Sequence, residues 1–111
     1  MAIQKYKCDY KKLTSKMLLQ WDSIPPAIVS DCMNRSNVMA SGICPISPGI
    51  SILGQARTVS CMVGDNSASH AAIGMLNEGE VLVIDGKGYR DTAVWGGIMT
   101  RAAIQKKCPN F

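Results

Sequence analysis

Apolar residues near the start of the chain recur at helical spacing. Leu13, Met17, Leu18 and Trp21 form one stripe between Lys11 and Trp21, which predicts an amphipathic first helix broken at Asp22 or Ser23. A second helix is predicted from Pro25-Pro26, where missing amide hydrogens cost little, through Ile28, Val29 and Cys32 toward Met33. From Asn34 to Ser51 the apolar positions scatter among Gly42, Pro45, Pro48 and Gly49, which reads as a connecting loop with a brief strand. Between Ile52 and Val63 the period changes to two. Val59, Cys61 and Val63 fall on one parity and Thr58, Ser60 and Met62 on the other, while Gly54 marks a bulge or bend.

Asn66 or Ser67 can cap a third helix whose Ala68, Ala71, Ala72 and Met75 would pack on a sheet, and Asn77-Glu78-Gly79 ends it. Val81 to Ile84 is a continuous apolar run, as expected of a central strand covered on both faces. A last helix is predicted over Gly97 to Lys107, with Pro109 forbidding its continuation. No internal repeat, low-complexity tract or linker interrupts this order.

Composition narrows the class. With 111 residues at 47% hydrophobic the chain can build one modest core, and apolar mass drawn from Ile, Val, Met, Leu and Ala suits an α/β interior. No apolar run is long enough to span a bilayer and no apolar signal core follows the Lys-rich start, so a cytoplasmic protein with no membrane partner is expected. Five cysteines, widely spaced and without a Cys-x-x-Cys pair, argue against a zinc site or a disulfide framework. They read as buried structural thiols, the alternative being a nucleophilic cysteine that meets the single histidine, His70, in space. The net charge of +4 arises at one end: Lys5, Lys7, Lys11, Lys12 and Lys16 stand against Asp9 alone, leaving seven charges of each sign for the rest. Residues 1–23 therefore read as a basic helical arm whose lysines form a solvated face; contact with RNA phosphates through Tyr6 and Tyr10 is the lesser reading.

Two glycine-containing loops could carry chemistry. Asp85-Gly86-Lys87-Gly88 follows a strand, yet Asp91 stands where a dinucleotide fingerprint needs its third glycine, and the Lys-Ser/Thr pair of a P-loop is missing. A tight turn needing positive φ is the plainer reading. Gly96-Gly97 opens a helix, where absent side chains would let a carboxylate approach the free amides of Gly97, Ile98 and Met99 and feel the helix dipole. The alternative is that the two glycines let the helix pack closely on a neighbour.

Six blocks in order resemble the RraA-like family: Asp31 in a helix, Pro45-x-x-Pro48-Gly49, Gly54-Gln55-Ala56-Arg57-Thr58-Val59, Gly64-Asp65-Asn66, Gly79 to Gly86, and Ala93-Val94-Trp95-Gly96-Gly97-Ile98-Met99-Thr100-Arg101-Ala102-Ala103. That family contains regulators of ribonuclease activity and class II 4-hydroxy-4-methyl-2-oxoglutarate aldolases that also decarboxylate oxaloacetate. Its sequences have also been labelled demethylmenaquinone methyltransferase-like, although nothing here resembles an S-adenosylmethionine fingerprint. The resemblance implies a swivelling β/β/α domain over residues 24–111, assembled as trimers, or as hexamers built from trimers, with sites between subunits. It implies that Gly96, Gly97, Ile98 and Met99 hold the carboxylate of a pyruvate-like oxo-acid. It also implies an Arg-Asp pair whose guanidinium clamps the substrate and whose carboxylate carries Mg²⁺ or Mn²⁺ through water, the metal being the Lewis acid that stabilises an enolate.

The chain departs from the family pattern twice. Gly97 replaces the acid expected after the first glycine, and the Arg-Asp pair would fall beyond Phe111. Arg90-Asp91 has the right dipeptide but precedes Gly96, on the wrong side of the strand-to-helix step. The sequence thus reads as the N-terminal half of the fold, without a metal bound by this chain alone. Two classes of function follow: a relative of the metal-dependent aldolases that is inactive as this chain, or a non-catalytic regulator that docks on a protein partner as the ribonuclease E regulators do.

Overall fold

The computed structural model describes residues 2–109; Met1, Asn110 and Phe111, which belong to the two predicted segments, lie outside the described residues. Two compact units are present. One is Leu13–Leu53, and the other joins the described residues up to Lys12 with those from Gly54 onward.

In the first unit, α1 covers only Ser15–Leu19, with the Thr14 hydroxyl accepting from the Met17 amide at 3.2 Å as an N-cap. The longer helix predicted over Lys11 to Trp21 is not formed. Five residues make little more than one turn, too short to repay nucleation, and the stripe of Leu13, Met17 and Trp21 stays exposed. Helix α2, Pro26–Cys32, begins at the predicted proline. It ends where Asn34 and Arg35 turn left-handed (φ 55° and 56°) and the Arg35 amide reaches back to the Ser30 carbonyl at 2.8 Å. No strand forms between Asn34 and Ser51, contrary to expectation; Pro45 and Pro48 withhold two ladder donors there and Ile46 is fully exposed.

The second unit holds β1 (Gln55–Ser60), α3 (Ser67–Met75), β2 (Glu80–Asp85) and α4 (Gly97–Gln105). The strands are parallel, with Gln55 opposite Glu80 and Ser60 opposite Asp85, so β1-α3-β2 is one crossover unit of an α/β fold. The core comprises Cys61, Ala72, Ile73, Leu76, Met99 and Ala103, and the buried Ser69 hydroxyl lies 3.0 Å from the Cys61 sulfur. Gly54 permits a close approach rather than a bulge inside the strand: a Cβ there would lie 2.5 Å from the Gly79 carbonyl oxygen and 2.8 Å from Val81 Cγ2. β2 is not the central strand its sequence predicts. Among the described residues β1 is its single neighbour, and Val81 to Ile84 are half-buried.

The N-terminal stretch also differs from expectation. Residues 2–14 contain no helix, and those up to Lys12 associate with β1 and β2. Among the described residues no helix is long and apolar enough to cross a membrane.

Candidate functional site at the carboxyl ends of the strands

Parallel pairing brings the carboxyl ends of β1 and β2 to one side, and the loops that leave them converge there. The first loop carries Gly64-Asp65-Asn66. Gly64 has φ 70°, and a Cβ on it would touch the Tyr89 ring at 3.4 Å, so this glycine meets the second loop face to face. Asp65 opens α3: its carboxylate accepts from the Ser67 amide at 2.9 Å and from the Ser67 hydroxyl at 3.1 Å. Asn66 occupies the N-cap position without capping, and its side-chain amide lies 3.9 Å from the sulfur of Met99 in the first turn of α4. The sequence offered Asn66 as a cap for α3 and not as a neighbour of α4; an aspartate directly before it that can cap in its place was the available signal.

Asp85-Gly86-Lys87-Gly88 is a turn, with Lys87 and Gly88 both at positive φ. The Asp85 carboxylate accepts from the Lys87 amide at 3.0 Å and from the Lys87 ammonium, and these bonds, ammonium first, hold its pKa below the ordinary aspartate value. The Lys87 amide and ammonium are thus engaged by an internal carboxylate, as in a tight turn.

At the start of α4 the geometry is open. Gly96 is the N-cap in an extended conformation (φ −148°, ψ 177°) that any residue adopts, and no side chain caps the helix. Among the described residues a Cβ on Gly96 or on Gly97 would meet nothing within 4 Å, so close packing there explains neither glycine. The first turn carries no acid, and the amides of Gly97, Ile98 and Met99 precede the first intrahelical bond, Thr100 amide to Gly96 carbonyl at 3.0 Å. The Trp95 indole donates to the Thr100 hydroxyl at 2.9 Å, which in turn donates to the Gly96 carbonyl at 3.2 Å, and this fixes the direction of the helix start. Ile98 is 82% exposed and Met99 only 2%, so the four predicted residues divide into an open rim and a buried anchor.

The remaining candidates lie elsewhere. Arg90 and Asp91 are exposed in the second loop. His70 is exposed, whereas the buried thiol, Cys61, meets Ser69, so these two form no nucleophilic pair. Contrary to the reading of the cysteines as buried, Cys8, Cys32 and Cys44 are exposed; Cys108 is half-buried, and burial pushes its thiol pKa up. Among the described residues no three His, Cys, Asp or Glu gather as metal ligands. With Asp65 bound to Ser67 and Asp85 to Lys87, the residues at the strand ends do not fit a divalent cation.

A family model described as RraA-like, Aldolase/RraA, matches residues 26–110. A protein of Halalkalibacterium halodurans provisionally named 4-hydroxy-4-methyl-2-oxoglutarate aldolase is 34% identical over 79 residues, which are 71% of this chain and 38% of that protein. The chain thus matches well under half the length of that relative. No solved structure matches it.

Proposed function

Because this chain belongs to the RraA-like family, we propose that it binds the carboxylate of a small oxo-acid on the amides of Gly97, Ile98 and Met99, as a relative of 4-hydroxy-4-methyl-2-oxoglutarate aldolases. The observation that carries this reading is the empty space at Gly96 and Gly97. Neither packing nor backbone conformation calls for glycine there, whereas an incoming anion gains from both absences. The amides supply three donors and the positive end of α4, and the Asn66 amide beside Met99 can take a second oxygen of the ligand. We further propose that this chain binds without turnover. Gly97 offers no carboxylate for proton transfer, and the donors nearby do not fit the Mg²⁺ or Mn²⁺ that the family's aldolase chemistry uses.

Titration of the isotopically labelled protein with pyruvate or oxalate tests this. Amide shifts centred on Gly97, Ile98 and Met99 are expected with a dissociation constant in the millimolar range, about 4 kcal/mol of binding free energy. Proline is well tolerated at a first helical position, so Gly97→Pro removes one donor while keeping the helix, and it should abolish the shifts. Unchanged shifts in that variant, or none in the parent, would refute the reading.

A second reading, docking on a protein partner, is favoured by a separate observation. Within Leu13–Leu53 no residue is buried, and Leu19, Trp21, Ile28, Met39 and Ile43 are all exposed. Self-association into trimers or their multiples would satisfy the same surface.

A further inference from the structure

We propose that residues 5–10 close onto the unpaired edge of β1 as an antiparallel third strand, anchored by Tyr10. Backbone groups of successive strand residues point to opposite edges. The amide of Cys61 bonds the Asp85 carbonyl at 3.0 Å, so Gln55, Arg57 and Val59, which share its parity, turn their amides and carbonyls toward β2. Ala56, Thr58 and Ser60 therefore present theirs to the other edge, where no strand of the described residues lies. Five consecutive β1 residues, Ala56 to Ser60, line a cavity of about 600 Å³ that is also lined by the N-terminal segment and by α3 and the loop leading into it. Side chains on one face of a strand would contribute every second residue; an unbroken run means that the cavity follows the backbone edge.

The segment has the sequence of a strand. Tyr6, Cys8 and Tyr10 alternate with Lys7, Asp9 and Lys11; all three line the cavity, together with Lys5, while Lys7 and Asp9 do not. Its direction and register are set at one end. The Lys11 carbonyl accepts from the Gln55 side chain at 3.1 Å, and Tyr10 bonds Glu80, the residue opposite Gln55. Running away from the start of β1, the segment can pair only antiparallel. Tyr10 lies with Arg57 and Glu80, on the face that carries Gln55, which places Tyr10 opposite Gln55, Cys8 opposite Arg57 and Tyr6 opposite Val59. Lys7 then faces Thr58, Asp9 faces Ala56 and Lys5 faces Ser60, so the outward-turned backbone groups of β1 meet those of the lysines and the aspartate. An antiparallel edge strand on a parallel sheet is a common arrangement, and closure would cover an edge otherwise open to other chains.

Amide hydrogen exchange followed by NMR on the full chain tests the register. The expected result is alternating protection: amides of Lys5, Lys7 and Asp9 exchange at least tenfold slower than in a free peptide of residues 2–12, as do Ala56, Thr58 and Ser60 against their unstructured rates, while Tyr6 and Cys8 stay fast. Lys7→Pro, which removes a ladder donor from an outward-facing residue, should abolish protection of Thr58 and Ser60 and leave that of β2 unchanged. Peptide-like rates throughout the segment would overturn the proposal, as would indifference of Thr58 and Ser60 to Lys7→Pro. Protection that grows with protein concentration would also overturn it, in favour of exchange between copies.

Discussion

Tyr10 donates its phenolic hydrogen to Glu80 at 2.7 Å, joining residues seventy positions apart in the chain. Glu80 is 4% exposed and accepts four further bonds: from Arg57 Nε and Nη2, both at 3.3 Å, and from the amide and side chain of Asn77 at 2.9 and 3.1 Å. The Arg57 guanidinium lies 5.1 Å over the Tyr10 ring, so the cation is held by a carboxylate and an aromatic face together. A buried carboxylate would be costly alone; here every oxygen is satisfied, and the loop after α3, both strands and the N-terminal segment are tied at one point.

Burial alone would push the Glu80 pKa up, but the hydrogen bonds from Asn77, Tyr10 and Arg57 outweigh it and hold the value at about 2, against 4.5 when exposed. Between these values the unfolded chain binds more protons than the folded one, so the contribution is complete above pH 4.5 and is lost as pH falls toward 2. It is on the order of 3 kcal/mol. Urea denaturation from pH 7 to 2 should show this acid loss in the parent and a flatter profile in Glu80→Gln, which is less stable at pH 7. A variant as acid-sensitive as the parent would contradict the assignment.

The same bond acts in the opposite sense on Tyr10, whose pKa is raised by the hydrogen bond to Glu80 and then by burial. The neutral phenol is the folded form, so its contribution is present below pH 10 and lost as pH rises through the folded value. Absorbance titration should find a tyrosine ionisation later than that of the free amino acid. Tyr10→Phe should remove that late step; a parent without a late step, or a Tyr10→Phe variant that keeps it, would refute the assignment.

Two glycines should respond to alanine with opposite signs. Gly54→Ala would press a methyl group against the Gly79 carbonyl and Val81, where backbone must move, and should destabilise by about 1–3 kcal/mol. Gly74→Ala lies inside α3 with nothing within 4 Å and should stabilise by about 0.5–1 kcal/mol. Thermal unfolding of both variants reads the difference directly; equal effects would count against the approach drawn at Gly54.

How much of this was legible depended on range. Pro26, the alternation before Cys61, the run Val81 to Ile84 and the glycines before Ile98 report local structure, and α2, both strands, α3 and α4 form near where those signals lie. The apolar stripe of Leu13, Met17 and Trp21 misled because periodicity reveals a possible face and not the partner that must cover it. The β2 run signals burial but cannot count neighbouring strands. The Tyr10, Arg57 and Glu80 cluster was unreadable for another reason: three ordinary polar residues, widely separated, acquire meaning only through the strand register. At Gly96 and Gly97 local sequence left an open approach and close packing side by side, and a Cβ on either meets nothing within 4 Å among the described residues.

The absence of a carboxylate at position 97 sets the expectation for activity. A coupled assay for pyruvate release from 4-hydroxy-4-methyl-2-oxoglutarate or oxaloacetate, with Mg²⁺ or Mn²⁺ present, should show no turnover above background. Acid–base and metal contributions each amount to orders of magnitude in rate, and backbone amides that hold a carboxylate supply neither. Gly97→Asp restores an acid in the first turn of α4, where the helix dipole favours it by about 0.3–1 kcal/mol. That variant should be slightly more stable than the parent and should bind pyruvate more weakly, because the new anion competes for the same amides. Chelator-sensitive turnover near one per second by the parent chain would show that its own residues assemble the metal site, and the reading of binding without catalysis would fall.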